Sequence, residues 1–201
     1  MNTRIHSYTA LAVKVLLFNL FLVVGLFAQG NWVIDQANSN INFSVQHMMI
    51  SDVTGNFEEF SGTIQSILDD FSDMRVSVSI NAGSINTHNS ARDNHLKGSE
   101  FFNVQKYDNI VFKSTRIDKK DDQHFIVTGD LTMHGVTRSV DLDVTYKGKV
   151  KTTHGDVAIF KATTTIDRTQ WGLTWNRFLE NGGILVGDDV QLTFNIEARQ
   201  Q

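Results

Sequence analysis

Apolar and polar residues alternate with a period of two through most of this chain beyond residue 40. In the first such stretch, Ile41, Phe43 and Val45 alternate with Asn42 and Ser44. A period of two places every second side chain on one face of an extended strand, so the pattern predicts strands that bury one face. The same alternation recurs in five further stretches, at 76–80, 125–133, 140–146, 158–162 and 190–196.

Short polar or glycine-bearing breaks separate these stretches, for example at Gly55-Asn56, His134-Gly135 and Lys147-Gly148. Such breaks favour antiparallel hairpins, because a parallel connection needs a crossover of a dozen residues or more. About eight strands, each with one apolar face, are typical of either a closed barrel or a two-sheet sandwich. The 14 phenylalanines favour an apolar interior. On periodicity alone the barrel has a small advantage, and the sandwich stays open.

The first 28 residues have the features of a secretory signal peptide. Arg4 and Lys14 precede an apolar run at 15–28 that contains Asn19 and ends in Ala28. The run is shorter than the roughly 20 apolar residues that span a bilayer. We therefore expect residues 1–28 to be a signal peptide and 29–201 to be one mature domain, periplasmic or secreted, with no stable membrane span. A retained anchor is the alternative.

Charge and cysteine content exclude several classes of function. The formal net charge is −4 and the chain has no polybasic cluster, so neither nucleic acid nor an anionic lipid surface is an expected partner. The chain contains no cysteine, which excludes disulfide bonds and thiol catalysis. No cofactor is implied by any motif.

Two stretches interrupt the alternation, at 86–104 and 167–183. In the first, Asn89 or Ser90 could cap a short helix. Both stretches carry large apolar residues that would be costly to expose. We therefore expect both to cover or line one end of the barrel.

The first interruption brings polar and aromatic residues together. Arg92, Asp93 and His95 precede Phe101 and Phe102, so they could form a polar mouth at which an apolar channel begins. The alternative is structural: Arg92 and Asp93 would pair to order the connection, and His95 would bond a backbone carbonyl.

The second interruption carries Trp171, Trp175 and Phe178. Indole combines an apolar body with a polar N–H, which suits the rim of a cavity, although ordinary core packing is an equally good interpretation. Asp167 and Arg168 are adjacent, and we expect them to form an ion pair at a strand end, which contributes little if it is exposed.

Metal and catalytic motifs are absent from the sequence. The histidines are dispersed rather than set at ligand spacing, which argues against a zinc site. The acidic stretches at 69–70, 118–122 and 187–189 lack the pattern of a calcium loop. None of the common nucleophile, zinc-protease or nucleotide motifs occurs. A hydrolase that uses a carboxylate pair stays open, because such pairs are recognised only in space.

Several segments resemble the YceI-like family of lipocalin-like, exported polyisoprenoid-binding proteins. The resemblance begins with Gly-Ser-Ile-Asn-Thr at 83–87 and Ala-Arg-Asp-Asn-His-Leu-Lys-Gly-Ser-Glu-Phe-Phe-Asn at 91–103. It continues, in the family's order, at 32–35, 107–114, 127–137 and 167–173. Asn109 and Ser139 stand where many members have proline, and Ser39-Asn40 stands where a His-Ser pair is usual.

This resemblance implies an all-β fold, an extended eight-stranded antiparallel lipocalin-like barrel with short helical segments between strands. Its lumen would bind, transport or store a long-chain polyisoprenoid or isoprenoid quinone without enzymatic activity. A homodimer is an option. The alternatives are a barrel enzyme acting on a lipid or quinone, and a structural or stress-related protein whose lumen is filled by its own side chains.

The expected ligand-binding residues are the apolar, inward-facing positions of the strands (the strand parity) together with residues of the two interruptions. They are Phe43, Val45, Val78, Ile80, Arg92, Asp93, His95, Phe101, Phe102, Phe112, Phe125, Val127, Leu131, Met133, Leu142, Val144, Phe160, Trp171, Trp175, Leu192 and Phe194.

Overall fold

The fold was analysed in a computed structural model that describes residues 30–48, 50–153, 155–177 and 185–201. The expected signal peptide and Phe178 lie outside the described residues. The elements, in chain order, are β1 (Gly30–Ile34), β2 (Asn40–His47), β3 (Ser51–Phe57), β4 (Phe60–Ser66), β5 (Arg75–Asn81), β6 (Ile85–Asn86), α1 (Ser90–Lys97), β7 (Asn109–Lys119), β8 (His124–Met133), β9 (Val136–Thr152), β10 (Gly155–Asp167) and β11 (Val186–Gln200).

These eleven strands occupy eight positions in one closed antiparallel barrel. β1 and β2 follow each other along β11, separated by the 3₁₀ turn Gln36–Asn38. In the next position β3 pairs with β2 and β4 pairs with β1. In the position after that, β6 pairs with β3 and β5 pairs with β4. β7 to β11 continue as hairpins, and the pairing of β1 with β11 closes the sheet. The predicted barrel is confirmed, and the sandwich is excluded.

The predicted breaks fall in different places along the strands. His134-Gly135 is a true turn, between β8 and β9. Gly55-Asn56, in contrast, lies within β3, and Gly148 lies within β9 at a register shift opposite Ile159. The prediction of breaks at Gly55 and Gly148 was wrong, because a glycine inside a barrel strand can relieve crowding or bend the strand rather than end it.

The first interruption of the alternation contains the helix α1. Asn89 is its N-cap, and the side-chain Oδ1 accepts a hydrogen bond from the backbone N–H of Arg92 at 3.0 Å. The helix follows β6, and eleven residues lie between its end and the start of β7. α1 and the loop after it therefore lie at one end of the barrel, which we call the mouth. No helix in the described part of the chain is long and apolar enough to cross a membrane.

Candidate functional site

The barrel encloses a cavity of about 300 Å³ that reaches the mouth. Its wall consists almost entirely of aliphatic and aromatic side chains. Most of the expected ligand-binding residues line it, namely Phe43, Val45, Val78, Ile80, Arg92, His95, Phe101, Phe102, Phe112, Val127, Leu131, Met133, Leu142, Val144, Phe160, Trp175, Leu192 and Phe194. Those that lie in strands face the lumen because the described registers keep each strand's apolar set on one face.

Two glycines in the wall keep space for large rings. A Cβ atom at Gly129 would lie within 2.4 Å of the Phe112 ring, and one at Gly55 would lie within 2.5 Å of the Phe43 ring. Each glycine pairs with or lies beside its phenylalanine on the neighbouring strand, so the ring can lie flat over bare backbone. The lumen stays open beside these rings, which a larger residue at either position would displace.

Arg92 and Asp93 hold the chain just before α1 at the mouth. Asp93 Oδ1 accepts hydrogen bonds from the Thr87 backbone N–H at 2.9 Å and from the Thr87 hydroxyl at 2.6 Å. Arg92 Nε donates to the Thr87 hydroxyl oxygen at 2.8 Å, and Nη2 donates to the Thr87 carbonyl at 3.0 Å. Both residues order this connection through buried Thr87 rather than through a direct ion pair, and only Arg92 also lines the cavity.

His95 lies in an aromatic cluster at the same mouth. Its ring meets Phe101 and Trp175 edge-on, with centroids 5.1 and 4.7 Å away. His95 Nε2 lies 3.0 Å from Glu100 Oε2, so its polar partner is a carboxylate and not the backbone carbonyl considered above. The cluster presents one ring nitrogen to a carboxylate and its apolar faces to the entrance of the cavity.

Three of the expected residues do not line the cavity. Asp93 is directed to Thr87, as described above. Phe125 is fully buried in the core. Trp171 is 2% exposed and donates its indole N–H to the Leu131 carbonyl at 3.1 Å. These three residues thus lie outside the cavity wall: Phe125 because strand alternation gives the face of a strand and not the depth at which the lumen ends, and Asp93 and Trp171 because their polar groups bond the chain instead.

Arg168 is the residue at the mouth that sequence reasoning misjudged. Its side chain is 4% exposed and lines the cavity. The guanidinium donates to the carbonyls of Leu173, Trp175, Val186 and Gly187. Its carboxylate partner is Asp188, with Nη2 and Oδ1 3.1 Å apart. Burial lowers the pKa of Arg168 from its usual value.

Asp167 is thus not the hydrogen-bonded partner of Arg168, contrary to the expected exposed pair. Asp167 Oδ1 instead accepts from the Thr169 N–H at 2.9 Å and caps the 3₁₀ turn Arg168–Trp171. The guanidinium therefore joins the chain after this turn to the first residues of β11. In the sequence, this junction is marked only by an arginine directly before a glycine- and tryptophan-rich stretch.

The opposite end of the barrel is closed by the loop at 67–74, whose Phe71 ring points inward and is 1% exposed. This ring lies 5.3 Å from Trp32, 5.1 Å from Tyr146 and 5.0 Å from Phe160, measured between centroids. Parity gave no indication of this closure, because Phe71 lies in an acidic loop outside the alternation. The cavity is therefore open at the mouth and closed at the Phe71 end.

The titratable residues that line the cavity are His47, Arg92, His95 and Arg168. No Asp or Glu among the described residues lines it, and the described residues contain no cluster of three or more His, Cys, Asp or Glu side chains with metal-binding geometry. What the described wall can do chemically is bury an apolar chain and donate hydrogen bonds at the mouth.

Comparison with known proteins agrees with this architecture. The family model described as YceI-like domain matches residues 32–198. The chain belongs to the YceI-like family. A UPF0312 protein of Staphylococcus aureus strain bovine RF122 / ET3-1 is 35% identical over 169 residues, which cover 83% of this chain and 96% of the relative.

Two solved structures share the fold of this YceI-like protein. BcnA of Burkholderia cenocepacia matches with a TM-score of 0.72 at 20% identity, over 82% of this chain and 98% of BcnA. A polyisoprenoid binding domain from Saccharophagus degradans, implicated in plant cell wall breakdown, matches with a TM-score of 0.64 at 15% identity, over 86% of this chain and 99% of that domain. At these identities the likeness extends to the fold alone.

Proposed function

We propose that this protein binds a polyisoprenoid or isoprenoid quinone in the barrel lumen and carries or stores it without chemical change, outside the inner membrane. The observation that carries the proposal is a cavity with an almost entirely apolar wall and one closed end, with the side chains of Arg92, His95 and Arg168 at its mouth. Family membership supports it, and so does the Saccharophagus degradans neighbour, which is described as polyisoprenoid-binding.

The energetics of burial suit such a ligand. At about 25 cal/mol per Å² of apolar surface, burial of several hundred Å² of prenyl chain contributes on the order of 10 kcal/mol before ordering costs are subtracted. A wall of branched aliphatic and aromatic side chains is complementary to the methyl-branched prenyl chain. Binding of this kind needs no catalytic group.

The head group of the ligand would lie at the mouth, beside Arg92 and His95. Arg92 uses Nε and Nη2 on Thr87, so its other nitrogen, Nη1, can donate to a phosphate or quinone oxygen.

The decisive experiment is lipid analysis of the protein produced with residues 1–28 and isolated from the extracytoplasmic compartment. We expect native mass spectrometry to show a stoichiometric adduct, and solvent extraction to give lipids spaced by prenyl units. An unliganded mass that does not shift on addition of polyprenols or quinones would refute the proposal.

A matched pair of variants on β10 tests whether the lumen is the binding site. Ala162 lines the cavity, whereas its neighbour Thr163 faces the outside of the barrel. Ala162→Phe should block the lumen and abolish the adduct, and Thr163→Phe should leave it intact. Equal loss in both variants would contradict a lumenal site.

A further inference from the structure

The cavity ends abruptly along every described strand that reaches its far end. Ile34, Ile64, Val144 and Ile196 line it. The next inward-facing residue along each of their strands does not. On these four strands the first residue beyond the cavity is Trp32, Ser66, Tyr146 or Ala198, respectively.

Several of the wall positions beyond the cavity carry small side chains. Ser66, Ala158 and Ala198 are all buried there. Because protein interiors are close-packed, small wall residues leave central space that another group must fill. The Phe71 ring fills it, between Trp32, Tyr146 and Phe160.

The loop that carries Phe71 is held firmly in place. The Asp73 carboxylate accepts hydrogen bonds from the Ser66 hydroxyl and from the backbone N–H groups of Ile67 and Leu68. Asp70 pairs with Lys119, with Oδ2 and Nζ 2.9 Å apart.

A second ion pair joins the same loop to β9, where Asp69 Oδ1 lies 3.0 Å from Lys149 Nζ. Phe71 itself adopts a left-handed backbone conformation with φ +57°, which residues with a Cβ atom adopt only at a cost. The surrounding contacts hold the ring across the end of the lumen in spite of this cost.

We infer that Phe71 is the floor of the ligand-binding lumen and sets the length of prenyl chain that the protein accommodates. This inference rests on the proposed function, and it adds an upper limit on the length of prenyl chain that the lumen can bury. Phe71 does not itself line the cavity; it packs edge-on against Phe160, which does. A prenyl chain entering at the mouth meets Phe160, and the Phe71 ring behind it fills the space into which the chain would otherwise continue. Isoprene units beyond that depth remain outside the barrel, where they gain no burial.

Removal of the ring should lengthen the lumen by about one isoprene unit, since the seven carbons of the phenylalanine side chain occupy slightly more space than the five of isoprene. Phe71→Gly is the sharpest variant, because glycine adopts φ +57° without penalty. Phe71→Leu is a milder second variant in case the glycine loop folds poorly.

Phe60→Leu is the matched control. Like Phe71, Phe60 is a buried core phenylalanine, 6% exposed, that does not line the cavity, but it is not in the floor loop at 67–74. A general loss of core packing affects this control as it affects the Phe71 variants. The length of prenol at which affinity stops rising should not change in Phe60→Leu.

The measurement is the affinity for a series of prenols of 10, 15, 20, 25 and 30 carbons. In the wild type we expect affinity to rise with each added unit up to a break and then to stay constant. In Phe71→Gly the break should move to a chain about one unit longer, while in Phe60→Leu it should not move. A uniform loss of affinity lowers the whole curve and leaves the break in place, so the readout separates a floor from a merely structural residue.

The possible failures are distinct. If the wild type binds no member of the series, the proposed function and the floor are both overturned. If the wild type binds with a break that stays at the same length in Phe71→Gly and Phe71→Leu, the function stands and the floor is overturned. A break that moves equally in Phe60→Leu also overturns the specific role of Phe71.

Discussion

The replacement of Arg168 by methionine should cost far more stability than the loss of an ordinary surface arginine. Its guanidinium donates to four backbone carbonyls, and the bond to the Leu173 carbonyl is fully buried. A buried acceptor that loses its donor costs about 1–3 kcal/mol. Water can reach the part-buried carbonyls, so we count about two unsatisfied groups and expect a loss of about 3 kcal/mol.

Arg199→Met is the matched control for this change. Arg199 pairs with Asp35 at 2.7 Å, but its side chain is 39% exposed, and pairs of this kind contribute about 0–1 kcal/mol. With a urea slope of about 2 kcal/mol per molar, Arg168→Met should lower the unfolding midpoint by about 1.5 M, and Arg199→Met by less than about 0.5 M.

Equilibrium urea unfolding, followed by tryptophan fluorescence, measures both changes. Arg168→Lys should give an intermediate loss of stability, since lysine keeps the charge but its single ammonium group cannot donate to several separated carbonyls at once. If Arg168→Met loses no more stability than Arg199→Met, Arg168 does not organise the mouth as described.

Three further predictions concern the wall, the floor loop and the rim. A Cβ atom at Gly129 would clash with both the Phe112 ring and the Lys113 carbonyl oxygen, so Gly129→Ala should displace this part of β7 and weaken prenol binding about tenfold by titration; unchanged affinity would contradict this. The Lys119 ammonium lowers the pKa of Asp70 to about 2, so Asp70 stabilises the fold above its unfolded pKa of about 3.9, and this stabilisation is lost as pH falls towards 2. The difference in urea midpoint between wild type and Asp70→Asn should accordingly shrink from pH 4 to pH 2, and a constant difference would refute it. Trp175→Ala should speed dissociation of a fluorescent prenyl probe in stopped-flow measurements, and an unchanged rate would exclude a role in covering the mouth.

The barrel wall could be predicted from sequence because one rule, period-two alternation, acts on every strand. Phe43 and Leu192 illustrate this: they are opposite each other in the register of β2 and β11, and both face the lumen. A slip of β2 by one residue would turn Phe43 and the other apolar side chains of that strand towards water, so burial enforces the register that alternation predicts.

The two ends of the lumen could not be predicted in this way. Phe71 closes one end from a loop with no periodicity, and its neighbours Asp69 and Asp70 suggested only a solvated turn. Arg168 becomes buried because the loop directly after it and the start of β11 together bring four carbonyls to it. Both roles depend on where loops fold back over the barrel, and local sequence carries little information about that.

The wall and the mouth are stabilised by different interactions, and this difference bears on how a ligand enters. Backbone ladders pair neighbouring strands around the barrel, so an opening between two strands would break several hydrogen bonds at once. Among the described residues, β6 pairs only with β3, and its other edge meets no strand. α1 and the following loop lie after this edge and are held mainly by side-chain contacts such as those of Arg92 and Asp93 to Thr87. The mouth can therefore open at the loss of fewer backbone bonds than the wall, so the proposed prenyl ligand would enter there without breaking the hydrogen bonds between two strands.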